Sequence, residues 1–315
     1  MALTNTQLLY YDGNVLRLPK ERRTEYHEQV DRLIAALKEA LAEKKEVRVT
    51  KVVKAGSFAK YTILRRTAND PVDVDVVFYI ADPEADHETL QEINDWIYKL
   101  LIGMYPSKSV EDFEIQRRAA KVVFVGTGLA VDVVPVIEDA DRAGYGWQFD
   151  LETGDKVETC APGQIKFVFD RKQRDPHFRT LVRMAKRWRN EAELKPLKSF
   201  TVELIMAHVL DTQGSAGSID QRFRNFLLYI AQTGLKEVIS FEENTGQIAT
   251  FDDPVVVVDP VSNDNNVAAR ITEAERLEIV AAAKEAWENA NFASAENDND
   301  IWKEVFGPRF KTEDK

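Results

Sequence analysis

Two apolar strands with aspartates at their centres constrain this chain more than any other feature. "VDVDVVFYI", Val72 to Ile80, carries Asp73 and Asp75 inside a run of Val and Phe. Aspartate is a poor strand former and costly to bury. On a strand, residues i and i+2 project to one face, so Asp73 and Asp75 stand together while Val72, Val74 and Val76 point the other way. Two adjacent carboxylates repel unless a cation lies between them. "LAVDVVPVI" supplies a third lone acid, Asp132. If the two strands pair, Asp132 reaches the Asp73/Asp75 edge. Hard oxygen ligands on rigid strands suit Mg2+, which keeps several waters and takes substrate phosphates as further ligands. Three such acids fit a site for two ions about 3.5–4 Å apart that clamps the attacking and leaving oxygens of a phosphoryl transfer. The bland reading, acids on the exposed face of a half-buried sheet, loses weight with each added acid.

A small-residue turn, Gly56-Ser57, lies between an apolar strand and the paired aspartates, and Thr62 follows five residues later. Glycine permits a tight turn and close approach of a ligand to the backbone. Turn N–H groups and a hydroxyl hold phosphate oxygens. The turn is no P-loop, because G-x-x-x-x-G-K-[ST] is absent. Its joint to the aspartates, "YTILRRTAND", contains Tyr61 and an extra acid, Asp70. An Asp70/Asp73 metal pair is disfavoured, since Pro71 and three-residue spacing put those two off a common strand face.

The 315 residues predict about two domains at roughly 150 residues each. Residues 1–20 read as irregular. Tyr26, Val30, Leu33, Leu37 and Leu41 form one apolar stripe, so residues 24–44 are predicted helical. "EVRVTKVVK" alternates as a strand, "HETLQEINDWIYKLLIGMY" is helical, two strands flank the Gly126–Gly128 turn, and "GYGWQFDLETGDKVETCAPG" suggests a further hairpin. After about 165 the patterns turn helical. They include a capping box of Thr272 and Glu275 ahead of a long helix. A mixed α/β (α+β) half, 1–165, is thus expected to precede a mainly helical half, 166–315.

The single cysteine, Cys160, excludes an internal disulfide, which suits a reducing cytoplasm. No signal-peptide pattern opens the chain, and no apolar run approaches the roughly 18 residues of a membrane helix. The histidines at 27, 87, 177 and 208 are scattered, and no Cys/His cluster suggests zinc. The formal charge of −11 argues against long nucleic acid as a general partner. Residues 165–198 run against that trend with eleven Lys/Arg and four acids. Arg179, Arg183, Lys186 and Arg187 fall at three- and four-residue spacing. They read either as a solvated helix face or as an electropositive wall for a triphosphate. Trp188 and His208 read as core residues of their helices.

Gly56-Ser57, Asp73-x-Asp75 and Asp132 together resemble the DNA polymerase β-like nucleotidyltransferase superfamily. More closely, the chain resembles the bacterial cGAS/DncV-like nucleotidyltransferases, or CD-NTases, which make cyclic oligonucleotide signals in anti-phage (CBASS) defence. "LVRMAKRWRNEAELKPLKSFTVELIMAHVL" and "DPVSNDNNVA" carry the match further, over about residues 20–310, and the first is most similar to clades C and D. The resemblance implies a mixed twisted sheet followed by a helical, oligoadenylate-synthase-like domain. It implies that Asp73, Asp75 and Asp132 bind two Mg2+ ions, for which Mn2+ can substitute, with Asp132 also activating a ribose hydroxyl. Gly56, Ser57 and Thr62 would form the nucleotide turn, and Lys186 and Ser199 would grip the donor triphosphate. "DPVSNDNNVA" would pack the helical domain against the catalytic one. ATP, with GTP as a second candidate, would be joined into a cyclic di- or trinucleotide. A HORMA-domain activator and an AAA+ remodeller would be partners, while net charge gives no support to a nucleic-acid activator. Two rivals stay open: a linear nucleotidyltransferase acting on RNA or protein, and a catalytically silent nucleotide sensor.

Overall fold

A computed structural model describes residues 3–43, 48–65, 71–81, 87–150, 153–296 and 298–313. The chain divides into two compact units, one of residues 18–166 and one of residues 3–17 with 167–313. The expected division at 165/166 therefore differs from the observed one at the N-terminus, where residues 3–17 join the second unit.

The first unit opens with helix α2, Lys20–Glu43, whose buried residues are Tyr26, Val30, Leu33, Leu37 and Leu41, the stripe read from the sequence. A mixed sheet follows. Its strands are β1 (Val49–Lys54), β2 (Val72–Ile80), β3 (Phe113–Ile115), β4 (Ala120–Phe124), β5 (Leu129–Glu138), β6 (Gly146–Phe149) and β7 (Lys156–Thr159). The main path runs β1-β2-β5-β4-β3, and β6 continues from the far end of β5 to β7. Only β2 and β5 are parallel among these pairs. A parallel pair needs a long crossover, and helix α4, His87–Met104, lies within it.

Alternation divides the sheet chemically. Val72, Val74, Val76, Phe78 and Ile80 of β2 join Leu129, Val131 and Val133 of β5 in a core with the apolar sides of α2 and α4. The opposite face carries a smaller apolar patch of Val77, Tyr79, Val134 and Val136. The aspartates share this second face by strand parity, so burying the helix-covered face leaves them uncovered by that core.

The second unit is mainly helical. Residues 3–17, expected to be irregular, form helix α1, Asn5–Tyr11, and one π-helical turn, Asp12–Leu16. Thr4 and Gln7 cap α1 reciprocally. The remaining helices are α5 (Ala161–Arg174), within which the division between units falls, α6 (Phe178–Glu191), α7 (Ser199–Gln213), α8 (Ile219–Thr233), α9 (Glu273–Glu296) and α10 (Trp302–Phe306). Thr272 and Glu275 form the capping box of α9 as expected. Trp188 is buried, edge-on to Phe226.

The "DPVSNDNNVA" stretch makes a short hairpin, β8 (Val258–Asp259) with β9 (Ser262–Asn266). Its asparagines serve the unit's own loops. The Asn266 side chain accepts from the N–H groups of Val257 and Ala268 and donates to Asp253 and the Val255 carbonyl. Asn263 donates to the carbonyls of Thr245 and Gln247. Asparagine suits this work because its amide supplies donor and acceptor at once.

Candidate functional site

The parallel pairing of β2 and β5 sets Asp75 directly beside Asp132, with Asp73 beside Ala130 one pleat away. Neighbouring strands lie about 4.8 Å apart, so two strands found far apart in sequence deliver three carboxylates to one patch. The Gly56-Ser57 turn closes that patch from the β1 side. Gly56 opens the short helix α3, Gly56–Lys60, with φ +59°. The Ala55 N–H donates to the Asp75 carbonyl at 2.7 Å. A Cβ on Gly56 would fall 1.6 Å from Asp75 Oδ2. Glycine is thus favoured by the left-handed backbone and required by the space that the carboxylate occupies.

The Ser57 carbonyl accepts from the N–H groups of Thr62 and Ile63 at 3.0 and 3.2 Å, folding the turn back on itself. Thr62 is buried, whereas Ser57 is half-buried. Tyr61 takes a left-handed backbone at φ +62°. Its ring lies under the Arg23 guanidinium, 3.5 Å from the centroid, and Arg23 also donates to the Phe58 carbonyl. The stack offsets the cost of that backbone and ties the turn to α2. Asp70 lies outside the described residues.

The electrostatics are those of crowded acids. Burial pushes the Asp132 carboxyl up to about 7, with Lys121 opposing and Asp75 and Asp73 adding to the rise. Burial also raises Asp75, against the pull of the Lys60 ammonium. Lys121, which sequence reasoning did not single out, stands on β4 opposite Asp132. Its Nζ is 3.0 Å from Asp73 Oδ1 and 3.5 Å from Asp132 Oδ1. Asp132 Oδ1 is buried and accepts no well-formed hydrogen bond. A cation already rests among the acids, and one buried carboxylate oxygen there lacks a hydrogen-bond donor, so the donor set fits a divalent metal. Among the described residues no three His, Cys, Asp or Glu side chains converge as a ready-made cage. Mg2+ needs none, since water and substrate phosphate fill most of its octahedron.

The second unit holds the other two expected residues. Lys186 lies on α6 and Ser199 opens α7, each with a partner that the sequence did not reveal. Lys186 Nζ donates to Glu203 at 2.6 Å with both side chains buried, and Arg189 donates to the Ser199 hydroxyl at 3.0 Å. Arg183 donates through Nε and Nη2 to Asp12, at 2.5 and 2.7 Å, and Arg187 pairs with Glu191. A buried charge must be paired to be tolerated, and Arg183, Lys186 and Arg187 each have an acidic partner within the unit. Cys160 is buried, and no zinc-type cluster occurs among the described residues.

Comparison with known proteins gives the chain its family and agrees with the fold. Residues 11–166 match the family described as Second Messenger Oligonucleotide or Dinucleotide Synthetase domain, and residues 220–294 match the second domain of tRNA nucleotidyltransferase. The chain is 61% identical over 314 residues to a CBASS oligonucleotide cyclase, CdnC, of Escherichia coli strain KTE188, covering 100% of this chain and 99% of that one. It is 32% identical over 307 residues to a cyclic AMP-AMP-AMP synthase of E. coli strain MS 115-1, covering 94% of each. The structure of E. coli MS115-1 CdnC with ATP superposes with a TM-score of 0.83 at 30% identity, over 98% of this chain and 99% of that one. That CdnC in complex with a HORMA protein gives 0.82 at 30% identity, over 98% of both. Apo DncV of Vibrio cholerae shares the fold, with a TM-score of 0.73 at 15% identity over 98% and 96% of the chains. The match to the synthetase family over residues 11–166, with 61% identity to a CBASS cyclase along the full chain and a polymerase β-like fold, makes this chain a member of the bacterial CD-NTase family of nucleotidyltransferases.

Proposed function

We propose that this enzyme joins nucleoside triphosphates, ATP first among them, into a cyclic oligonucleotide, a trinucleotide by preference, for CBASS signalling. The observation that carries the reading is the position of Asp75, flanked by Asp132 in register on one side and pressed by Gly56 on the other, in a chain 61% identical to a CBASS oligonucleotide cyclase. The 32% relative named for cyclic AMP-AMP-AMP supports ATP and the three-membered ring.

In the proposed reaction a ribose hydroxyl of one nucleotide attacks the α-phosphorus of another. A new P–O bond forms, the bond to the β-phosphate oxygen breaks, and pyrophosphate leaves. Two Mg2+ ions, when bound, supply neutralisation of charge on the attacking and leaving oxygens. Asp73 and Asp75 hold that charge from β2. Asp132, in register beside Asp75, would accept the proton of the attacking hydroxyl. Ser57, at the turn beside Asp75, orients the triphosphate oxygens, and buried Thr62 shapes the turn through its backbone. A phosphate contact from Lys186 requires its ammonium to leave Glu203, so that residue serves as a gated cation in this scheme. The HORMA complex of the 30% identical CdnC supports a HORMA-domain activator. An AAA+ remodeller rests on the family resemblance alone. No helix among the described residues is long and apolar enough to cross a membrane, and a cytoplasmic setting is proposed on the single cysteine.

The match of residues 220–294 to a tRNA nucleotidyltransferase domain favours linear transfer as the second reading. Incubation with labelled ATP and the other NTPs, Mg2+ and a HORMA partner, followed by phosphatase and mass spectrometry, separates the two. Phosphatase-resistant product is expected. A sensitive ladder means linear chains, and absence of product with every activator tried means a silent sensor. Asp73→Asn with Asp75→Asn abolishes product while circular dichroism is unchanged; full activity in that variant overturns the assignment.

A further inference from the structure

Lys121 is the one basic residue of β4, and the register gives it a fixed address opposite Asp132. Its ammonium faces two of the three acids, at 3.0 Å from Asp73 and 3.5 Å from Asp132. The side chain is 16% exposed against 51% for Asp73. The cation is therefore the ordered partner, and the exposed carboxylate turns toward it. Three carboxylates on one patch of sheet repel one another; the Lys60 ammonium relieves part of that repulsion at Asp75, and Lys121 does so at Asp73 and Asp132. The ammonium donates one hydrogen bond, to Asp73 Oδ1 at 3.0 Å, and meets Asp132 Oδ1 as an ion pair without a well-formed hydrogen bond, so a cation of higher charge that takes both carboxylates can displace it.

We propose that Lys121 is a placeholder cation: a positioning residue that keeps Asp73 and Asp132 assembled in the metal-free enzyme and competes with divalent metal for them. This rests on the reading that the acids bind metal. Metal entry then costs the displacement of one ammonium, which weakens metal affinity and favours entry of the metal together with a nucleotide, whose phosphates repay the exchange. An arginine at 121 preserves the competition, whereas a neutral residue of similar length removes it.

The test is Mn2+ binding to the metal-free full-length protein by isothermal titration calorimetry, with thermal unfolding recorded in parallel. Lys121→Met is expected to bind Mn2+ about tenfold more tightly, the scale set by one lost unit charge near partly solvated carboxylates. It is also expected to melt lower than the unmodified protein without metal and to gain more from Mn2+. Lys121→Arg is expected to retain the unmodified affinity. Unchanged or weaker Mn2+ binding by Lys121→Met overturns the placeholder. Lys121→Gln gives the same decision should the methionine variant fail to fold. Asp73→Asn with Asp75→Asn is the separate control. If that variant binds Mn2+ as well as the unmodified protein, or if neither the unmodified protein nor Lys121→Met binds any, the metal reading itself fails and the placeholder falls with it.

Discussion

Gly56 shows how narrowly a single residue can be specified. Its left-handed backbone disfavours a side chain, and Asp75 Oδ2, which would lie 1.6 Å from any Cβ at this position, excludes one. Gly56→Ala must move the turn, the carboxylate, or both. A shift of about 1 Å at a reacting centre costs on the order of 100-fold in rate, and backbone strain of this kind costs about 1–3 kcal/mol. The expectation is at least ~100-fold less product with a lower melting temperature and an intact circular dichroism spectrum; alanine at full activity would show that Asp75 is not held by the turn. Much at this scale was legible in the sequence. Two aspartates at i, i+2 in an apolar strand declare their shared face through the period of the strand alone. Lys121 was not legible, because a lone lysine in a five-residue strand reads as an ordinary solvent-facing position until register puts it across from Asp132.

Elements were legible where their period was clean. The stripe of α2 and the alternation at the start of β2 gave both elements away, since α2 buries one stripe and β2 sets its aspartates between buried valines. Helix α5 escaped notice because its polar run, with Gly163 near its start, shows no sustained stripe. The short α1 and its π-turn were hidden by Gly13 and Pro19, although the Thr4/Gln7 box marks the start. The role of Asp12 was invisible for a different reason: its partners Thr180 and Arg183 lie more than 160 residues away. Burial acts to raise the pKa of Asp12, but hydrogen bonds and charge from Arg183 and Arg17 outweigh it, so the carboxyl lies below its usual range. A depressed folded value stabilises the fold above the free aspartate pKa of about 3.9, and that stabilisation is lost as pH falls through the folded value. Removing the charge strands a buried guanidinium, so Asp12→Asn is expected to cost about 3–5 kcal/mol at pH 7. Melting curves from pH 7 to 3 should fall in acid for the unmodified protein and fall less for Asp12→Asn. An equal acid slope in both would remove Asp12 from the titration.

At the scale of the molecule, chain order and structural order part company. A sequence pattern assigns a segment by its neighbours along the chain, and this placed residues 1–17 with the sheet. The contacts assign it otherwise. Tyr11 lies against Phe306 and Phe310 at centroid distances of 5.4 and 4.8 Å, Asn5 Oδ1 accepts from the Ile219 N–H, and Asp12 takes Arg183. Leu8, Val15 and Leu16 are buried with them. Each such apolar side chain contributes about 1.5–3 kcal/mol on burial, enough in sum to bind the segment through any local fluctuation. The first and last elements of the chain thus close one core in which α1, α6, α8 and α10 take part. Native-state hydrogen exchange in mild urea tests this directly, because amides in one cooperative unit open together. Amides of residues 8–16 are expected to share the opening free energy and urea dependence of α6, and to remain protected when the sheet's edge strands exchange. Exchange of that segment at the rate of a fraying terminus, or in step with β1 and β2, would show that the N-terminal segment belongs to the sheet unit or to neither.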